Sequence, residues 1–235
     1  MAKKRAVSSA TLGDAVTPLP TGRLRLRKDP ASFATEHPVP DGVFVRVIGL
    51  DLGTKCGFAV CDLQKDKPLD GQLIVAGIWD LSVGPFDSGA LRHLRLRQFL
   101  AVTKPDFISF ENVKYTPPAE QFKGRLSPAA IVARAATSQE FLGGLKMTVL
   151  SWAEANGVPT QPQDIGTIKK YATGKGVASK LDMVRAANTK YGMNLVDSSE
   201  EEARAVGDDN VADAVFCCSL GIDMYKEGLA EYTQR

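Results

Sequence analysis

Val45-Arg-Val-Ile-Gly-Leu-Asp-Leu-Gly-Thr54 places a single carboxylate, Asp51, at the end of an otherwise apolar, β-branched run. Val45, Val47, Ile48, Leu50 and Leu52 read as a buried central strand. Gly53 permits a tight turn and lets a ligand or backbone come close. Lys55-Cys-Gly-Phe-Ala-Val-Cys61 resumes as a second strand, so the pair reads as a hairpin with an acid at its mouth. A carboxylate is costly there without a partner, and a metal ion, free or phosphate-bound, is the usual one. The simpler reading is a turn-capping aspartate, and the rest of the chain has to decide.

Working outward, Gln72-Leu-Ile-Val-Ala-Gly-Ile-Trp79 reads as a third strand, which makes a three-strand antiparallel meander. Ser88 to Val102 has Leu91, Leu94, Phe99 and Val102 at helical spacing and is ended by Lys104-Pro105. Its Arg92, Arg95 and Arg97 form either a solvated face or a phosphate contact. Asp106-Phe-Ile-Ser-Phe-Glu-Asn-Val113 follows as a buried fourth strand, and the intervening helix makes it parallel to the first. Pro128 opens a long helix through Ala155, in which Gly143-Gly144 marks a kink or a close helix contact. A short fifth strand over 158–162 and helices over 165–172, 180–191 and 211–225 complete an α/β fold: a five-stranded mixed sheet, meander plus parallel strands, flanked by helices. Residues 1–42 form a basic arm without sustained periodicity, residues 43–226 one domain, and residues 227–235 a tail.

Composition narrows the chemistry. The chain has 235 residues, 44% of them hydrophobic, which is enough for a full core. No apolar run approaches the roughly 18 residues of a membrane span, and Lys3, Lys4 and Arg5 are not followed by the apolar region of a secretory signal. A cytoplasmic protein with no membrane partner is expected. Cys56, Cys61, Cys217 and Cys218 lack C-x-x-C spacing and read as buried free thiols. With only His37 and His93 available, zinc and histidine-dependent hydrolase chemistry have little to work with, so reactivity must rest on carboxylates and lysines. Residues 1–40 hold seven Lys and Arg against three acids, while the whole chain carries +2. Such an arm either samples phosphate backbones or simply solubilises.

A second acid repeats the situation of the first. Glu111 closes the apolar strand Phe107-Ile-Ser-Phe110, and if strands one and four are parallel neighbours, Asp51 and Glu111 lie side by side at the carboxyl end of the sheet. Open α/β sheets place their ligands there. A third group occupies Gly207-Asp-Asp-Asn-Val-Ala-Asp-Ala-Val-Phe216, where Asp209, Asn210 and Asp213 share one helical face. N-capping accounts for an acid at 208–210 but not for Asp213 among Ala212, Ala214, Val215 and Phe216. Carboxylates converging from two strands and a helix repel unless divalent cations neutralise them, the requirement of two-metal phosphodiester hydrolysis.

Gly49-Leu-Asp-Leu-Gly-Thr54, Phe110-Glu-Asn112 and Asn210-Val-Ala-Asp-Ala214 resemble, in order, the acidic motifs of the RuvC family of Holliday junction resolvases, within the RNase H-like fold. Ile168-Lys-Lys-Tyr-Ala-Thr-Gly-Lys-Gly-Val-Ala-Ser-Lys180 resembles the basic segment that family places between its fifth strand and the next helix. The likeness covers roughly residues 43–225 and fits a bacterial, viral or phage-type member. It implies Asp51, Glu111 and Asp213 as catalytic metal ligands for two Mg²⁺ ions, with Mn²⁺ able to substitute. It also carries the family's two functional lysines onto Lys169 and Lys180. Lysines beside a scissile phosphate would stabilise its transition state. Gly174 and Gly176 would let that loop approach the DNA backbone, with Lys175 a further contact.

Two departures stand out. Where the family has a second acid or a histidine three residues before its last aspartate, this chain has Asn210, so the Asn210 oxygen or Asp209 is expected to help hold one metal. Where the family presents an aromatic wedge, the local sequence is Asn112-Val-Lys-Tyr115; Lys114 and Tyr115 are the expected DNA contacts, with Phe122 a weaker one.

The resemblance implies a Mg²⁺-dependent, homodimeric crossover junction endodeoxyribonuclease acting on four-way or otherwise branched DNA, with the 128–155 helix as the expected dimer face. An RNase H-like nuclease of RNA/DNA hybrids or flaps, and a catalytically weakened scaffold that holds branched DNA, are the alternatives. An ATP-binding protein of the actin and Hsp70 type also opens on Asp-Leu-Gly-Thr, but it needs a second phosphate loop that this chain lacks.

Overall fold

A computed structural model describes residue 30 and residues 43–64, 74–112 and 127–233. All of the expected basic arm but Pro30, and the connection over 113–126 with Lys114, Tyr115 and Phe122, lie outside the described residues.

Five strands are present: β1 (Val43–Asp51), β2 (Lys55–Gln64), β3 (Ile74–Asp80), β4 (Phe107–Glu111) and β5 (Thr160–Gln163). They form one sheet in the order β3-β2-β1-β4-β5. β1 pairs antiparallel with β2, and β2 with β3, which is the expected meander. β4 lies parallel to β1 and β5 parallel to β4. The mixed sheet with helices on both faces is the α/β arrangement expected from the sequence.

The helices are α1 (Ala90–Thr103), α2 (Pro128–Asn156), α3 (Ile165–Thr173), α4 (Lys180–Tyr191), α5 (Glu200–Val206) and α6 (Asp208–Thr233). Local chemistry explains their ends. α1 stops at Lys104, whose φ of 51° is left-handed and whose N–H donates to the Leu100 carbonyl; Pro105 then bars continuation. α2 starts at Pro128 behind Ser127, whose side chain accepts from Ala130 N. It runs unbroken through Gly143-Gly144, and Gly144 marks the expected close helix contact. A Cβ on Gly144 would lie 3.0 Å from the His93 ring of α1. α5, unpredicted, is a single short piece capped by Ser199 and closed by Gly207 at φ 90°. Because α5 ends there, α6 begins at Asp208 rather than Val211, and it continues to Thr233, beyond the expected Tyr225 and through most of the expected tail.

Strand alternation divides the core in two. On one face Val45, Val47, Ala59, Cys61 and Ile78 meet Ile168, Met183, Val184, Ala203, Val215 and Phe216 of α3 to α6. On the other Ile48, Leu50, Phe58 and Trp79 meet Phe99 of α1 and Leu145 and Trp152 of α2. Here Trp79 stacks between Phe58, at 4.9 Å, and Phe99, at 4.7 Å. The four cysteines are free and buried, as expected. Arg92 is not freely solvated, since its guanidinium lies 4.8 Å from the Phe141 ring centre, and Arg95 donates to the Ser82 carbonyl; Arg97 is exposed. Among the described residues no helix is long and apolar enough to cross a membrane.

Candidate active site

The parallel register of β1 and β4 pairs Leu50 with Phe110, so one step further Asp51 and Glu111 stand side by side at the carboxyl ends of adjacent strands. Leu50 and Phe110 face α1 and α2. By alternation the two acids face the opposite side, toward α6.

Glycine sets how near α6 can come. A Cβ built on Gly49 would lie 2.2 Å from the Cys218 nitrogen and 2.3 Å from the Ala214 carbonyl oxygen, and one on Gly57 would lie 2.0 Å from the Asn210 carbonyl oxygen. Only a residue without Cβ fits, so α6 rests directly on the backbones of β1 and β2. Gly221 does the same further along, 2.6 Å from the Ser109 Cβ. This seating brings Asp213 against the two strand acids. Gly53, the glycine singled out in the sequence, is not the tight one: its added Cβ would meet only the Lys55 carbonyl oxygen, at 3.7 Å.

The three carboxyls share one electrostatic neighbourhood. Burial raises Asp51 well above the usual carboxylate range, and the charges of Asp213 and Glu111 raise it further, against the pull of Lys180. Asp213 is pushed up to about 7 by burial and by Glu111, opposed by Lys180 and Lys169. Glu111 is raised by burial and lowered by the same two lysines. Cys217, one turn beyond Asp213, is raised by burial and then by all three acids, which places it beneath them. Contrast the far end of β1, where buried Arg46 is saturated by Asp62 at 2.6 and 2.7 Å and by the Thr103 carbonyl at 2.9 Å.

Lys180 owes its position to a capping box. Ser179 accepts from Asp182 N while Asp182 accepts from Ser179 N, fixing Lys180 as the first residue of α4. Its ammonium donates to Asp209 Oδ2. Burial works against that charge, but the Asp209 bond and the fields of Asp209, Asp213 and Asp51 outweigh it and raise the amine. Asp209 is 2% exposed, and its buried Oδ1 has no hydrogen-bond partner among the described residues.

The Asn210 amide nitrogen donates to the Lys55 carbonyl at 2.8 Å, tying α6 to the start of β2. Lys175 is exposed on the turn after α3, where Thr173 Oγ1 accepts from its N–H at 3.2 Å. Sequence reasoning missed Lys146 of α2, whose Nζ donates to Asn112 Oδ1 at 2.7 Å, beside Glu111. The two residues are 34 apart in the chain, and the only signal for their meeting was the packing of α2 on that face of the sheet.

No family model matches the chain, and no curated protein matches it. Among solved structures, the chain is similar to RuvC of Thermus thermophilus. One such structure is 19% identical, covering 75% of this chain and 96% of that one with a TM-score of 0.46. Another, T. thermophilus RuvC in complex with Holliday junction substrate, is 18% identical, covering 73% and 93% with a TM-score of 0.47. Likenesses at that level say nothing of what this chain binds or cuts.

The donor set fits a hard divalent cation in kind. All its candidate ligands are carboxylate or amide oxygens, three carboxyls are held at raised proton affinity by burial, Asp51 and Asp213 also by neighbouring acids, and Asp209 Oδ1 lacks a partner among the described residues. They form an electrostatic cluster rather than a closed cage: among the described residues no three His, Cys, Asp or Glu side chains are gathered as a metal site.

Proposed function

We propose that the chain is a Mg²⁺-dependent endodeoxyribonuclease that acts as a homodimer on branched DNA, the four-way junction first among its substrates. The observation that carries the reading is the meeting of Asp51, Glu111 and Asp213 at one sheet edge, each raised by burial, with Lys180 acting on all three and Lys169 on Glu111 and Asp213. An acid cluster that costs the fold stability and faces two lysines has the charge pattern of a phosphodiester site.

In this mechanism Asp51, Glu111 and Asp213 would hold the cations, with Asp209 Oδ1 a further candidate oxygen. Bound metal would supply an activated water and a counter-charge for the leaving oxygen. Lys180, anchored through Asp209, presents an ammonium to the phosphoryl oxygens as charge builds on them. Lys169 approaches from α3, and Lys175 meets the neighbouring backbone from the exposed turn. Asn210 keeps α6 in register on β2 through its amide nitrogen, and its Oδ1 would be a further oxygen for one cation. The exposed side of α2, with Val132 at 68% exposure, is the surface we assign to the dimer, in which a two-fold would pair two sites across a symmetric junction.

The test is cleavage of a four-way junction, a Y-fork, a linear duplex and an RNA/DNA hybrid by wild type and Asp51→Asn in Mg²⁺. Junction cutting by the wild type alone supports the proposal. Preference for the hybrid would make the chain an RNase H-type enzyme, and equal cutting of linear duplex would remove the branched-DNA selectivity. Tight junction binding with no cutting of any substrate would leave a scaffold.

A further inference from the structure

The lysines considered so far reach the acid edge from the face of the sheet that carries α3, α4 and α6. Lys146 reaches it from the other face. It lies on α2, between Leu145 and Val149, which are buried in the core beneath β1 and β4. Its ammonium donates to Asn112 Oδ1 at 2.7 Å, and Asn112 is the residue after Glu111. Asn112 is itself fixed, since its backbone N–H donates to the Gln163 carbonyl at 2.8 Å and continues the β4–β5 ladder past Glu111.

The partner's chemistry separates Lys146 from Lys180. Lys180 meets a carboxylate, so part of its charge is neutralised within the protein. Among the described residues Lys146 meets a neutral amide, which orients the ammonium without neutralising it. An ammonium carries three donors, and the bond to Asn112 uses one. A half-buried cation held this way at the end of β4 would gain from an anion delivered to the sheet edge.

From this geometry we infer that Lys146 is a DNA-phosphate contact, holding the strand on the side of the sheet opposite Lys169 and Lys180. The inference rests on the nuclease reading and adds a second wall to its site. A backbone crossing the acid edge then meets a cation on each flank, and α2 becomes part of the substrate surface. Asn112 acts here as a positioning residue: it aims the ammonium and touches no substrate itself.

Counterion release gives the test. Each phosphate contact contributes about 0.9 to the slope of log affinity against log salt on duplex DNA. Binding of metal-free protein to a four-way junction is measured across a salt series for wild type, Lys146→Gln, Lys146→Arg and Asn112→Ala. Lys146→Gln is expected to lose affinity and to flatten the slope by about 0.9, while Lys146→Arg keeps it. Asn112→Ala is expected to weaken binding with the slope unchanged, because the charge remains and only its aim is lost. A Lys146→Gln slope equal to wild type, whatever its melting temperature, would reduce Lys146 to a staple between α2 and β4 and overturn the inference. Wild type that binds no DNA would overturn the nuclease reading together with it.

Discussion

Lys180 and Asp209 form an ion pair in which the carboxylate is 2% exposed and the ammonium side chain 40% exposed, at the first turns of two different helices. The pair sets where the ammonium stands relative to Asp51 and Asp213, both of which act on it. Asp209 is therefore expected to work through Lys180. Asp209→Asn should slow cleavage by roughly 10- to 100-fold, the range for a displaced catalytic group. In a Lys180→Ala background the same change should have little further effect. Single-turnover rates for the four proteins of this cycle provide the check, and additive losses would separate the two residues.

The seating of α6 predicts opposite outcomes for two glycine-to-alanine changes. At Gly49 the new methyl would overlap the Cys218 nitrogen and the Ala214 carbonyl, both backbone atoms that cannot turn aside. Overpacking of this kind costs about 3 kcal/mol or more, and it would also lift Asp213 away from Asp51. At Gly143 nothing lies within 4 Å of the added methyl, and the residue is in mid-helix. Gly143→Ala should stabilise by about 1 kcal/mol. Urea unfolding of both variants reads the difference.

The acid cluster predicts a pH dependence for the metal-free protein. A carboxyl whose folded pKa lies above its unfolded value holds its proton more tightly when folded, so ionising it removes stability. For Asp213 that loss begins near the ordinary value of 3.8 and is complete above about 7, and Asp51 and Glu111 act in the same direction. Lys180, raised from 10.5, stays charged across this window and does not offset the trend. Melting temperature should therefore fall from pH 5 to pH 7.5 without metal. Millimolar Mg²⁺ should raise it more at pH 7.5 than at pH 5, since only ionised carboxylates bind the cation. Differential scanning fluorimetry at the two pH values, with and without Mg²⁺, measures this.

Much of the fold could be read from the chain because its signals are local. The apolar run ending in Asp51, the Ser-Pro start of α2 and the Lys104-Pro105 stop all act within a few residues. The pairing of Asp51 with Glu111 needed only one further rule, that a helical crossover returns a strand parallel. What was not legible depends on contacts between distant segments. Gly49 and Gly57 look like ordinary strand glycines until α6 is laid on them, whereas Gly53 drew notice for its neighbours in sequence alone. α5 has a single buried residue, Ala203, so no apolar period marks it, and its Ser199 cap and Gly207 stop are short local signs. Asn210 stands at a position where a ligand is expected, and the bond from its amide nitrogen that seats α6 on Lys55 spans 155 residues. Lys146 is hidden for the same reason.

The most direct test of the central claim is to measure stability and cleavage together on Asp51→Asn. If Asp51 is an acid kept at a cost for cation binding, the neutral amide should raise the melting temperature of the metal-free protein at pH 7.5. Each unit of pKa shift relieved is worth about 1.4 kcal/mol, or about 2–4 °C per kcal/mol in a domain of this size. The same variant should show neither Mg²⁺-induced stabilisation nor Mg²⁺-dependent nicking of a four-way junction, while still binding it. A variant that melts below wild type without metal and still cuts the junction in Mg²⁺ would contradict the account.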